Sequence, residues 1–534
     1  MFSMEISMRK RFNVTGVCIP EKHYMVDLTE KVNAVVDQYV SQGAYFTVNR
    51  ARQFGKTTLL NALEGRLRGE YAVLSISLEA ADDYFADMGV FVNGIVMDIA
   101  EELRRNGVQE RVVREWEQRI DGDYPLKALG GRISSLCTQS RQGVVLMIDE
   151  ADKSSDNQIF LSFLGMLRDK YLKREMGRDS TFQSVILAGV YDIKNLKSKL
   201  RPDEEKKYNS PWNIAADFQI DMSFSVGEIA GMLQGYENDH HTGMDIARIS
   251  GLIYEYTAGY PYLVSRICQL ADEQLAGTAD FPGKCDVWTG EGIVAAERML
   301  RKQRNTLFDD MVKKLSDFPK LKRMIQDILF CGSAFPFEEN NHLIDLGVTF
   351  GFLKENNGMV AIGNRIFETK LYDLFLSELS MDNALGQTAN AEPNQFIVGG
   401  MLQMRLVMEK FYQYFMEIYG DSDQKFIEKQ GRKIFLLYLK PIINGTGNYY
   451  IEAQTRDARR ADIIVDYRGR QFIIELKIWR GSEYNQRGEK QLFGYLDDYG
   501  ADTGYLLSYN FNQNKTTGIR EIARDGKRIV EVVV

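Results

Sequence analysis

Three stretches place charged and hydroxyl groups where they could do chemistry. In "NRARQFGKTTLL", Gly55, Lys56 and Thr57 join a strand-like run to a helix-like one. Such a loop turns backbone N–H groups toward an anion at a helix N-terminus. Lys56 would then reach β/γ-phosphates, and the Thr57 hydroxyl would ligate Mg²⁺. In "VVLMIDE", an apolar run delivers Asp149 and Glu150 to the C-terminal end of a strand. Open α/β sheets bind ligands at that edge. Asp149 can hold Mg²⁺ there, and Glu150 can orient or deprotonate an attacking water. Each motif has a plainer reading, a solvated helix cap for the first and a capping acidic pair for the second. Their order, each at a strand end, favours the chemical one. One departure stands out: Arg50 occupies the position, five before Gly55, that such loops usually give to glycine.

The third stretch, "ADIIVDYRGRQFIIELKIWR", runs from Ala461 to Arg480 and reads as two apolar strands around Arg468-Gly469. A two-residue turn pairs Tyr467 with Arg470 and sets Asp462 opposite Glu475. Side chains alternate faces, so Lys477 shares the face of Glu475. Like charges placed opposite destabilise a sheet. A divalent cation reverses that sign, because carboxylates are hard oxygen ligands for Mg²⁺. Such a metal polarises a phosphoryl oxygen and acidifies a bound water, while an ammonium balances transition-state charge. The alternative is a salt-bridge cluster on an edge strand. Apolar residues on both faces argue against an edge.

The elements that position these residues can be read from periodicity. A helix (27–42), the strand "AYFTVN", a helix "TTLLNALEGRL" and the strand "YAVLSISL" form a parallel βαβ unit. Helical patterns fill 90–140, and the "VVLMIDE" strand, a helix "NQIFLSFLGMLRDKYL" and the strand "FQSVILAGV" follow. The predicted fold is thus a doubly wound α/β core over 10–224, with a helical lid over 225–300. Over 301–380 come helices and a hairpin turning at Asn356-Asn357-Gly358, a winged-helix-like pattern. Residues 381–395 read as a linker. An α/β domain over 396–534 closes the chain, opening on an amphipathic helix "VGGMLQMRLVMEKFYQYFMEIYG".

Composition narrows the class. The chain has 534 residues and a net charge of −8, so contact with nucleic acid would need local basic patches. Arg456, Arg459, Arg460, Arg468, Arg470, Arg480 and Arg487, with Trp479 and Tyr484, cluster in sequence around the hairpin. Arginines contact phosphates and aromatics stack on bases, although any charge-rich surface has a similar make-up. The five cysteines are scattered and form no CxxC, which argues against a zinc site or a disulfide framework. No apolar run reaches transmembrane length and the N-terminus lacks a signal-peptide core, so a cytoplasmic location without membrane contact is expected.

"RARQFGKT" followed by "VVLMIDE" resembles the AAA-like ATPases, and closer still the bacterial AAA-ATPase-like family, over about residues 10–290. That family tolerates loss of the first glycine. The resemblance implies ATP and Mg²⁺ as cofactors. It implies ATP contacts from Arg52, Gln53, Phe54, Gly55, Lys56, Thr57, Thr58 and Asp149, with Mg²⁺ on Thr57 and Asp149 and Glu150 catalytic. "LAGVYDIKNLKSK" and "SPWNIAADF" look like the γ-phosphate-sensing region, with Tyr191 and Asp192 at the strand end. "TAGYPYLVSRIC" is similar to a glycine-x-proline helix start near the nucleotide, where Pro261 would abut adenine and Arg266 would reach phosphate. A solvated position is the other reading of Arg266.

Asp462 followed by Glu475-x-Lys477 resembles the PD-(D/E)xK nuclease superfamily, over about residues 395–515. Gln491 and Tyr495 have the spacing of that superfamily's helix motif, and Glu409 is a weaker candidate on the first helix. The resemblance implies catalytic Asp462, Glu475, Lys477 and Gln491, Mg²⁺ on Asp462 and Glu475, and nucleic-acid contacts from Arg460, Arg480 and Tyr495. The whole chain looks like an ATPase joined to a Mg²⁺-dependent nuclease acting on DNA. A homo-oligomer and a role in foreign-DNA defence are further expectations. The alternative is a nucleotide-switched binding or signalling protein whose nuclease fold is a non-catalytic module.

Overall fold

The computed structural model describes residues 10–79, 81–151, 158–190, 212–331, 333–380, 393–419, 431, 434–436, 438–439, 442–443, 447–454, 460–478, 482–510 and 517–534. Contacts divide the chain into two compact units, Met1–Leu321 with Phe337–Ile366, and Lys322–Pro336 with Phe367–Val534. The division falls inside the stretch 301–380 that reads as one module in the sequence. The expected linker over 381–395 lies almost wholly outside the described residues.

In the first unit, strands β1 (Phe46–Asn49), β2 (Tyr71–Ser77), β3 (Gly143–Asp149) and β4 (Ser184–Gly189) form a parallel sheet in the order β1-β4-β3-β2. β3 shows why it sits inside. Val144, Leu146 and Ile148 enter one buried cluster with Phe91 and Phe163. Val145 and Met147 enter the other, with Leu59 and Leu63. Period-two alternation with both faces apolar demands helices on both sides, and each such side chain contributes about 1.5–3 kcal/mol on burial. Helices α1 (Thr29–Val35, continuing as a π-turn through Val40), α2 (Lys56–Leu67), α3 (Met88–Arg105), α4 (Pro125–Gln139) and α5 (Gln158–Glu175) supply those layers.

After the sheet come α6 (Val226–His240), α7 (Ile246–Thr257), α8 (Pro261–Leu270), α9 (Gly290–Lys302) and α10 (Thr306–Asp317). α6 starts on a capping box, Ser225 with Glu228. Pro261 stands at the first position of α8, where its missing N–H costs nothing. The hairpin β5 (Leu353–Asn356) and β6 (Met359–Ile362) turns at Asn357-Gly358, both with positive φ. That is the two-residue turn Asn-Gly favours.

In the second unit, β7 (Gly447–Gln454), β8 (Arg460–Tyr467), β9 (Arg470–Ile478), β10 (Thr503–Tyr509), β11 (Gly518–Arg524) and β12 (Lys527–Val533) form a mixed sheet. The order is β7-β8-β9-β10-β12-β11, with β9, β10 and β12 mutually parallel. Helix α12 (Ser482–Asp498) covers one face through Leu492, Tyr495 and Leu496 against Ile464, Ile473 and Leu506. One boundary differs from the sequence reading. "VGGMLQ" does not begin a helix. Ile397–Val398 pairs with Met401–Leu402 around Gly399-Gly400, both at positive φ, and α11 starts at Met404 (Met404–Tyr419). Two consecutive glycines favour the reversal over continued helix. Among the described residues, no helix is long and apolar enough to cross a membrane.

Candidate functional site

The phosphate-loop residues lie between β1 and α2. Gln53 (φ 58°) and Gly55 (φ 82°) are left-handed, and Gly55 is the N-cap of α2. Glycine adopts that conformation without strain, whereas Gln53 holds it at a cost. The Lys56 side chain is buried, and its ammonium donates to the carbonyls of Arg50 and Ala51, 3.0 Å each. Thr57 Oγ1 donates to Asp149 Oδ2 at 2.8 Å, and the Glu150 N–H donates to Asp149 Oδ1 at 2.9 Å. Sheet order explains the first contact: β4 lies between β1 and β3, so Thr57 reaches Asp149 across its edge. The two hard oxygens converge on one point, a donor set that suits Mg²⁺. Glu150 also has positive φ, 54°, a strained conformation for this residue.

The loop and Glu150 open onto a cavity of about 760 Å³, whose lining does not include Asp149. Arg52, Gln53, Phe54, Gly55, Lys56, Thr57, Thr58, Glu150 and Pro261 all line it. Arg266 does not line it. Its guanidinium donates to Gln269 (2.5 Å) and Gln303 (2.7 Å) along the helical region. Thr58 also has a structural task, accepting the Cys18 N–H at 3.2 Å and so tying the N-terminal segment to α2. That segment was missed by sequence reasoning. Val14, Val17, Met25 and Val26, with Met222 and Tyr262, give the cavity apolar lining of a kind that suits a flat heterocycle. Its one sequence signal was the unassigned apolar lead "FNVTGVCIPEKHYMV". Glu79, just beyond the end of β2, also reaches the cavity. Tyr191 and Asp192 lie outside the described residues.

The hairpin has the expected register. Tyr467 pairs with Arg470, with Arg468 and Gly469 at positive φ, and pairing continues to Ile463 with Ile474. One step further, Asp462 and Glu475 fall opposite each other and each carboxylate caps the other strand. Asp462 Oδ2 accepts the Leu476 N–H at 2.8 Å, and Glu475 Oε2 accepts the Asp462 N–H at 3.4 Å. Lys477 Nζ stands 2.7 Å from Glu475 Oε1. Glu475 is 1% exposed. Burial, and then the Asp462 charge, push its carboxyl up to about 7 against the pull of Lys477. A raised carboxyl of this kind suits general acid–base work near neutrality, and its proton competes with any metal the site would hold.

Helix α12 backs the site. Gln491 Nε2 donates to Tyr495 Oη, and the stem of Lys477 packs on Gly488. The expected nucleic-acid contact from Tyr495 needs correction. The ring is fully buried in the core under α12, where no base can stack on it. The Arg460 side chain and all of Arg480 lie outside the described residues. Glu409 pairs with Arg405 at 2.9 Å. A second buried carboxylate was missed: Glu531 accepts from Ser508 Oγ at 3.2 Å and pairs with Arg520, and Ser508 is in register with Lys477. Its place in the apolar run "RIVEVVV" was the available signal. Among the described residues no group of three or more His, Cys, Asp or Glu is placed to hold a metal. Asp462 and Glu475 are two carboxylates, which suits an ion that keeps much of its water, as Mg²⁺ does.

The chain resembles known proteins over part of its length. The chain is 23% identical over 339 residues, 61% of its length, to an uncharacterized WD repeat-containing protein of Synechocystis sp., and spans 27% of that protein. A Walker-type ATPase of Pyrococcus abyssi is similar at 11% identity and TM-score 0.42, covering 67% of this chain and 99% of the other. The ORC2 protein of Aeropyrum pernix is similar at 12% identity and TM-score 0.34, covering 69% and 97%. Residues 19–278, which hold the phosphate loop, Asp149-Glu150 and the first part of the helical region, match the family described as an AAA-like domain.

Proposed function

We propose that this protein is an ATP-hydrolysing machine whose second unit is a Mg²⁺-dependent, PD-(D/E)xK-type nuclease acting on DNA. The observation that carries the nuclease reading is the cross-strand meeting of Asp462 and Glu475 with Lys477 at 2.7 Å. In the first unit the apolar lining of the cavity would take the base, and the loop N–H groups, with Lys56 released from its loop carbonyls, would hold the phosphates. Thr57 and Asp149 would hold Mg²⁺, and Glu150 would orient the attacking water. In the second unit Asp462 and Glu475 would hold Mg²⁺, which when bound supplies Lewis-acid polarisation of a phosphodiester. Lys477 neutralises developing charge, and Gln491 and Tyr495 fix the wall against which Glu475 sits. The winged-helix-like stretch and possible self-assembly belong to the same reading.

The test is a paired assay of ATP hydrolysis and DNA cleavage on the full chain. Asp462→Ala should abolish Mg²⁺-dependent cleavage and leave ATP hydrolysis intact. Cleavage at the wild-type rate in that variant removes the nuclease assignment. A second reading, a nucleotide-switched binding module, draws support from the burial of Glu475 and its pairing with Lys477, since a fully paired buried carboxylate can be structural. It predicts no Mn²⁺ binding at the hairpin at millimolar metal.

A further inference from the structure

The cavity wall holds two charged groups that the phosphate-loop chemistry leaves unused. Asp310 and Lys314 both line the cavity from α10. A spacing of four puts them on one face of the helix, one turn apart. α10 is fastened to the loop itself. Gln53 Nε2 donates to Thr306 Oγ1 at 3.0 Å, and Asp310 Oδ1 stands 3.8 Å from Arg52 Nη1. The chain downstream packs there too: a Cβ on Gly351 would lie 3.2 Å from both Ala51 and Tyr260. Lys314 Nζ sits 5.0 Å from the centre of the Phe350 ring.

Two cations that line the cavity, Lys31 and Lys56, have partners within its wall. Lys31 is held by Glu228 at 2.6 Å and by the Ser223 carbonyl at 2.8 Å. Lys56 is held by its own loop. Arg52 is different, with 57% of its side chain exposed and a loose ion pair to Asp310. A carboxylate lining a cavity meant for a polyanion opposes the ligand twice. It repels the phosphates, and it occupies the one arginine of the loop that could turn to them. The ammonium one turn along has the opposite effect.

We propose that α10 completes the nucleotide site in cis: Lys314 contacts the phosphate chain, and Asp310 competes with those phosphates for Arg52. The proposal rests on reading the cavity as a nucleotide site. It makes neighbouring residues of one helix act on affinity with opposite sign, which a packing role would not do.

Full-length protein is titrated with fluorescent methylanthraniloyl-ATP and methylanthraniloyl-AMP. Lys314→Ala should weaken the triphosphate about fivefold, the value of a partly exposed charge contact, and the monophosphate less. Lys314→Arg should restore most of the loss. Asp310→Asn should tighten the triphosphate by a similar factor, and Lys313→Ala, its exposed neighbour, should change neither. Unaltered binding in Lys314→Ala, or loss of affinity in both Lys314→Ala and Asp310→Asn, overturns the proposal. Failure of the wild type to bind, or wild-type binding by Lys56→Ala, overturns the cavity reading and the proposal with it.

Discussion

At the phosphate loop the ammonium of Lys56 rests on main-chain carbonyls, at a helix N-terminus that opens on a cavity of about 760 Å³. At the hairpin, Glu475 is closed in between a sheet and a helix and is balanced by one lysine, with a second carboxylate as neighbour. The loop handles charge with backbone dipoles and room for a ligand, so its groups are separable and each residue type is dictated by local geometry. The hairpin handles charge by burial and pairing, so its groups share one electrostatic state. Removing Asp462 or Lys477 would change the proton affinity of Glu475. A loop site of this kind is adjustable by ligand, whereas a buried pair is adjustable by protons and metal.

The largest expected effect breaks the loop. Lys56→Ala should reduce ATP hydrolysis by about 100-fold or more, because the phosphates would lose the ammonium that must leave the Arg50 and Ala51 carbonyls for them. A steady-state ATPase assay decides this, and retained activity would separate the loop from the chemistry. Next comes the proton economy of the hairpin. Glu475 is raised to about 7, so below that pH a proton competes with metal. Mn²⁺ affinity, followed by calorimetry, should fall about tenfold per pH unit below pH ~7 and level off above it. Glu475→Gln should bind weakly at every pH, with that slope gone. A wild type with flat affinity from pH 5 to 8 would mean that Glu475 is not a ligand. The smallest effect concerns packing. A Cβ at Gly488 would lie 3.2 Å from Lys477 Cε, so Gly488→Ala should displace the ammonium slightly. Cleavage should slow by about two- to fivefold, while ATP hydrolysis stays unchanged. A matching loss in both activities would point to a general folding defect.

Much of the loop was legible because its function is local. Gly55, Lys56 and Thr57 are consecutive, and an apolar strand ending in Asp149-Glu150 announces its own position. The hairpin was legible for a related reason. Arg468-Gly469 makes a two-residue turn, and turn length determines register. Arg266 carries no such signal. A helical arginine has several partners within reach, and here Gln269, one turn along the same helix, and Gln303, brought in by tertiary packing, take it. The nucleic-acid contact expected of Tyr495 does not fit its place, because the apolar side of α12 packs it into the core beside Leu492 and Leu496.

Local spacing alone determined which residues could bind phosphate and which acids could face each other. It did so through two short-range rules, the helix N-terminus after a tight loop and the period-two alternation of a hairpin. Only the tertiary structure brought Val14, Val17, Met25, Asp310 and Lys314 together as lining of the cavity. Those residues lie tens to hundreds of positions from Lys56, and nothing periodic links them to it. Their meeting follows from the burial of α/β layers and helices against one another, a sum of many apolar contacts. The burial that raises Glu475 toward neutrality has the same origin: the sequence names the carboxylate, and the covering helix sets its proton affinity.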